Sequence, residues 1–322
     1  MRRAALKKSI LILIICIITN CAIQKGHQKL DPLPSWNDRD TKSDIITFVD
    51  NVSDPASTDY IPPQDRIATF DFDGTIYCEK PIYANFEVCI SHYREDVAQD
   101  STLKDVQPYK AAMENDYKYM NSHIIDFLTL DYVGKAEEDY VASVSAFIDT
   151  TIHSELQIPY KYLFYIPMVE LIEFLLQNDF QVFISSGSMT GFLRGACREN
   201  LPVEPWHIVG SRVELEYSNE DSTITFLRKE NIVHNNNAEG KVLGIYTHIG
   251  KPPIIAVGNT CGDLEMLRYA QDNDLPHLVL VINHDDSKRE YEYYDIKLLE
   301  FCKQNGWGIV SMSKDFMNIF IR

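Results

Sequence analysis

No stretch of this 322-residue chain approaches the roughly 18 consecutive apolar residues that a spanning helix needs, which excludes a polytopic membrane protein. Positive charge is scarce: 30 Lys and Arg stand against 47 Asp and Glu, giving a formal net charge of −17 at pH 7. A nucleic-acid binder, or a protein held by charge on anionic lipid, should be basic, so both classes are disfavoured and no nucleic-acid partner is expected. Low-complexity tracts, Pro/Gly excess and internal repeats are also missing, with 14 Gly and 14 Pro in the whole chain. The remaining composition, 45% hydrophobic and 24% charged, is that of a globular protein of one large domain or two modest ones.

Metal-finger and disulfide patterns are lacking too. The 7 cysteines are Cys16, Cys21, Cys78, Cys89, Cys197, Cys261 and Cys302, and none pair as C-x-x-C. The last five are an odd set, which fits neither a zinc site nor a disulfide framework, and they read as buried apolar thiols. His153, His207, His234, His248, His277 and His284 show no H-x-x-x-H or H-E-x-x-H spacing and read as structural or exposed.

What is present begins with an address. Arg2, Arg3, Lys7 and Lys8 precede an apolar run from Ile10 to Ile18, too short to span but suited to a secretory signal. Cys21 follows Ile18-Thr19-Asn20, which resembles a bacterial lipobox except that Asn20 stands where Gly, Ala or Ser is usual. The expectation is a signal and lipobox over 1–21, export to the periplasm, and a lipid anchor at Cys21. Residues 22–60, with Pro32, Pro34 and Pro55, read as a tether carrying a short helix near Asp44–Val52.

The body alternates strand and helix. Arg66–Phe72, Phe180–Ser185, Pro253–Gly258 and Leu278–Asn283 are apolar strand-like runs. Helices are expected after Pro167, over Met189–Glu199 and over Gly262–Ala270, and a hairpin is expected to turn at Ser218–Asp221. Residues 81–160 show helical spacing, as in Tyr140, Val144 and Phe147. Continuous apolar strands separated by helices predict an α/β fold with a parallel sheet covered on both faces. Ligands in such sheets bind beyond the carboxyl ends of the strands.

The polar residues cluster at those ends. Asp71-Phe72-Asp73-Gly74-Thr75 closes the first strand, and carboxylates two apart there project to one side. They repel unless a cation lies between them or one is protonated. That pattern suits one nucleophilic and one proton-transferring carboxylate around a divalent ion.

Asp71-Phe72-Asp73-Gly74-Thr75 resembles the first motif of haloacid dehalogenase superfamily phosphatases, D-x-D-G/S-T. Phe183-Ile184-Ser185-Ser186-Gly187-Ser188 is similar to the second motif, and Gly258-Asn259-Thr260-Cys261-Gly262-Asp263 to the fourth, with Asn259 in place of its first acid. Lys241 is preferred to Lys251 as the third-motif lysine because it opens a short helical stretch. The resemblance covers about 60–315 and is closest to the phosphoserine phosphatase-like members. It implies a Rossmann-like three-layer core (60–80 and 160–315) with an inserted helical cap (81–160).

It further implies a Mg²⁺-dependent phosphomonoester hydrolase acting through an aspartyl-phosphate on small phosphorylated substrates. Asp71 would be the nucleophile and Asp73 the acid and base. Ser186 and Lys241 would stabilise the phosphoryl group, with Thr75, Glu79 and Gly187 contacting substrate. Asp71, Asp73, Asn259 and Asp263 would hold the metal, and Asp263 is expected to matter more because Asn259 carries no charge. Tyr83 and Phe86 read as cap core, with lining of the same pocket as the alternative, and the Tyr291–Tyr294 cluster reads as packing. The rivals are a hydrolytic dehalogenase of the same fold and a phosphate-ester-binding lipoprotein whose site has degenerated at Asn259. No signature of an oligomeric state is present.

Overall fold

In the computed structural model of the chain, residues 30–220 and 223–320 are described, so the segment read as a signal and Cys21 lie outside the described residues. The chain forms one compact unit from Pro32 onward. Helix α1 (Asp40–Ser53) buries Ile45, Val49 and Val52, a stripe at helical spacing. Strand β1 (Ile67–Phe70) follows, with all four residues buried.

Five helices intervene before the next strand: α2 (Ala84–Gln99), α3 (Tyr109–Glu114), α4 (Tyr117–Ser122), α5 (Ile124–Thr129) and α6 (Glu137–Thr150). They form the inserted cap. The core resumes with α7 (Ile166–Gln177), β2 (Gln181–Met189) and α8 (Thr190–Cys197). A long hairpin comes next, β3 (Ile208–Glu220) and β4 (Thr223–His234). The chain then runs through α9 (Glu239–His248), β5 (Ile255–Gly258), α10 (Leu264–Gln271), β6 (Leu278–Asn283), α11 (Ile296–Asn305), β7 (Gly308–Ser311) and α12 (Met312–Asp315).

The sheet has seven strands in the order β4-β3-β2-β1-β5-β6-β7. Every pairing is parallel except β3 with β4. The fold is therefore α/β, a Rossmann-like sheet with a helical insertion. β1 lies between β2 and β5, so the chain leaves it in both directions and a crevice opens at its carboxyl end.

Two regions differ from the sequence reading. The described part of 22–60 is no loose tether. Leu33, Trp36, Val49 and Val52 are all buried, Trp36 Nε1 donates to the Pro167 carbonyl across 2.8 Å, and its ring meets Phe316 edge-on. Burial of one large aromatic with its N–H satisfied is enough to fasten this segment. The hairpin also runs farther than its alternation suggested, and β4 reaches the cap: Arg228 N donates to Lys135 O (3.0 Å) and Gly134 N to Arg228 O (2.9 Å). Of the five described cysteines, all free, four are buried as expected and Cys261 is exposed.

Candidate active site

The site is built where three strand ends meet. Beyond β1, the turn at Gly74 has φ +74, and a Cβ there would fall 1.9 Å from the Asn259 amide nitrogen. Only glycine gives both the left-handed backbone and the close approach. Beyond β5, a Cβ on Gly258 would meet the Asp263 Cβ at 2.6 Å, so glycine again allows two segments to touch.

Lys241, on the first turn of α9, is the hub. Its Nζ lies 2.5 Å from Asp71 Oδ1 and 2.5 Å from Asp263 Oδ1, and all three side chains are buried. Asp263 Oδ2 accepts from the backbone N–H groups of Asn259 (2.9 Å) and Thr260 (3.0 Å). Thr260 and Asp263 thus cap each other at a short 3-10 turn. Asp73 Oδ2 accepts from Ser188 Oγ at 2.8 Å and Ser186 Oγ at 3.4 Å. Thr75 Oγ1 lies 3.4 Å from Asp71 Oδ2 and 3.5 Å from Asn259 Oδ1. Lys251 is elsewhere, at the surface, paired with Asp65.

The electrostatics follow from burial. Loss of water, with the Asp263 and Asp73 carboxylates close by, pushes the Asp71 carboxyl up, and the Lys241 ammonium only partly offsets this. Burial likewise raises Asp73, to about 6, against the opposing hydrogen bond from Ser188. For Lys241 burial alone would lower the pKa, but Asp263 and Asp71 outweigh it and hold the ammonium above its ordinary range. Three buried carboxylates therefore share one lysine, which leaves the site short of positive charge.

Among the described residues, no group of three or more His, Cys, Asp or Glu side chains forms a ready metal cage. Lys241 stands between Asp71 and Asp263, and Asp263 has both oxygens engaged. The donor set nevertheless fits a hard cation. Asp73 Oδ1 is buried without a hydrogen-bond partner, and the groups around it are carboxylate and amide oxygens. Asp71, Asp73 and Asn259 are the residues that would hold Mg²⁺. Asp263, expected as a ligand directly or through a bound water, has Oδ1 on Lys241 and Oδ2 on the loop after β5.

A cavity of about 230 Å³ opens on these groups. Asp71, Asp73, Glu79, Ser186, Gly187, Lys241 and Asp263 line it. Thr75, expected to contact substrate, is fully buried behind Asp71 and does not line it; its β-branched side chain fills the turn and braces the carboxylate. Asn259 is also behind the wall. Tyr83 and Phe86, at the start of α2, both line the cavity. Several residues were missed. Ser188 makes the shortest contact to Asp73, and its only sequence signal was a third serine in S-S-G-S. Asn235 and Asn237 line the cavity, and Asn236 between them ties Ser186 O (3.0 Å) to Val209 O (2.9 Å). The Asn-Asn-Asn run before Lys241 was a legible but unread signal. Tyr293 is no mere packing residue either: its hydroxyl lies 2.9 Å from His284 Nε2, and it lines the groove beside Glu79.

No family model matches the chain, and no curated protein does. Solved structures do. A conserved protein of unknown function from Anaerococcus prevotii is 15% identical, over 84% of this chain and 91% of its own, with TM-score 0.53. A protein of unknown function from Bordetella pertussis is 14% identical, over 76% and 97%, with TM-score 0.51. The fold is shared with both. A HAD family hydrolase from Salmonella enterica serovar Typhi is 16% identical, over 74% and 70%, with TM-score 0.37.

Proposed function

We propose that this chain is a Mg²⁺-dependent phosphomonoester hydrolase acting through an aspartyl-phosphate on small phosphorylated metabolites. The observation that carries the reading is the Lys241 ammonium set 2.5 Å from both Asp71 and Asp263, beside Asp73, on the wall of one small cavity. The order of the motifs, each at a strand end and each resembling those of haloacid dehalogenase phosphatases, supports it.

An Asp71 carboxylate oxygen attacks phosphorus, forming the acyl phosphate as the ester P–O bond breaks. Asp73, whose pKa burial raises to about 6, gives a proton to the departing alkoxide. It then takes a proton from the water that attacks phosphorus, and the Asp71–phosphate bond breaks to release phosphate. Lys241 offsets negative charge on the phosphoryl oxygens, and the Gly187 N–H and the serine hydroxyls beside it orient them. Bound Mg²⁺ would supply the positive charge that the three carboxylates lack. The cap excludes water, which strengthens each of these contacts.

The N-terminal signal and Cys21 support export and lipid anchoring in a bacterial periplasm, where the enzyme would act on scavenged esters. Phosphate release from a panel of monoesters, with Mg²⁺ or EDTA and with Asp71→Asn beside the native chain, tests the reading. Magnesium-dependent turnover lost in the variant supports it. No turnover by folded, Mg²⁺-loaded protein would leave a phosphate-ester-binding protein instead, with Asn259 as the reason.

A further inference from the structure

The cavity is divided by chemistry. One end holds the carboxylates, the serines and Lys241. The other is apolar, walled by Phe86 of α2, Ile124, Ile125 and Leu128 of α5, Met189 at the end of β2 and Ile232 of β4. The organic part of any ester whose phosphate sits at Asp71 must lie against this wall.

Charge narrows the choice. Among the described residues, Lys241 is the one basic side chain on the lining, and it is already committed to Asp71 and Asp263. Lys80 is near, 3.5 Å from Glu79, but it lines the neighbouring surface groove and its ammonium lies over the Tyr293 ring. Glu79 itself is buried and on the cavity wall. A second anionic group on the substrate would lose its water against isoleucine and leucine, find no free cation, and face a carboxylate. A neutral oxygen fares better, because the Asn85 amide nitrogen is buried on the lining with no hydrogen-bond partner.

From this we infer that the site selects monoesters of uncharged alcohols or phenols with an apolar body, and discriminates against esters that carry a second anion such as a carboxylate. The inference rests on the phosphatase reading and narrows it. Phosphoserine and phosphoglycerate would accordingly be poor substrates.

A matched pair of esters tests it: 4-methylphenyl phosphate and 4-carboxyphenyl phosphate, assayed with the full chain and Mg²⁺. The carboxylate makes the phenolate a better leaving group, so intrinsic reactivity opposes the expected order. The methyl ester should nevertheless have at least a tenfold higher kcat/KM. Ile125 is 41% exposed, so Ile125→Lys should fold, and by placing a cation on the wall it should reverse the preference. Glu79→Gln should narrow the ratio several-fold.

Equal or better turnover of the carboxylate ester by the native chain would overturn the selectivity while leaving the phosphatase intact. So would an Ile125→Lys ratio equal to the native one. Phosphate release from neither ester, nor from any other monoester, would sink both readings together.

Discussion

His284 Nε2 donates a hydrogen bond to the Gly74 carbonyl oxygen across 2.7 Å, so a residue past β6 holds the turn that carries Asp73. A carbonyl can only accept, so this ring nitrogen carries a proton. The other nitrogen faces Glu290 Oε2 at 3.3 Å, and Glu290 Oε1 in turn accepts from Tyr165 OH at 2.9 Å. The turn is thus clamped from behind by buried groups that touch no substrate. His284→Ala should lower kcat by about 100-fold, the usual cost of an ångström of misplacement, with KM little changed. Steady-state kinetics on protein with a native circular dichroism spectrum would check this, and an unaltered kcat would refute the clamp.

Lys241→Met should destabilise the metal-free protein by about 3–5 kcal/mol, because it strands the Asp71 and Asp263 carboxylates without a counter-ion. Urea titration in EDTA reads the loss. Adding Asp263→Asn to the variant should recover part of it, since one buried charge is then removed.

Asp73→Asn should abolish activity yet stabilise the metal-free chain near pH 7.5. The folded state holds the Asp73 proton up to about pH 6, against an ordinary value of 3.8. A raised folded-state pKa contributes stability that is complete below the unfolded value and lost as pH rises through the folded one. The loss amounts to about 3 kcal/mol for this group, and asparagine escapes it. Thermal melts in EDTA should show the variant ahead at pH 7.5, with its lead shrinking as pH falls and closing only below the unfolded value of 3.8.

Arg228→Ala should loosen the cap. The guanidinium lies 2.6 Å from Glu137 at the start of α6, 3.2 Å from the Asp131 carbonyl and 4.0 Å from the Tyr140 ring centroid. The change removes all three contacts and leaves a nearly buried carboxylate unpaired, at a cost of about 3 kcal/mol. Amide hydrogen exchange in α6 should accelerate, while exchange in β1 and β5 should slow or quicken only with global stability.

Legibility in the sequence divides along physical lines. β1, β2, β5 and β6 are buried on both faces, so each reads as an unbroken apolar run, and the carboxylates and serines at their ends stand out. Lys241 could be chosen over Lys251 because a lysine opening a helix differs from one in a turn. Side chains that work at a distance in sequence left no local mark. His284 and Tyr293 reach Gly74 and Glu79 only once β6 lies beside β5. Trp36 looks like part of a tether until Pro167 and Phe316 close over it. For Asp263, spacing shows where the carboxylate is but not that its oxygens meet Lys241 and the backbone after β5.

The contact between β4 and residues 134–136 has a consequence for solubility. β4 is an edge strand, and an uncovered edge is a template for pairing with another chain. Arg228 gives its N–H and its carbonyl to the cap backbone, and Ala136 bridges Leu227 beside it. The insertion that roofs the cavity therefore also seals part of the sheet's open margin. A version of the protein trimmed of 81–160 would lose that seal and present strand to strand, so its failing would be aggregation before any question of catalysis arose.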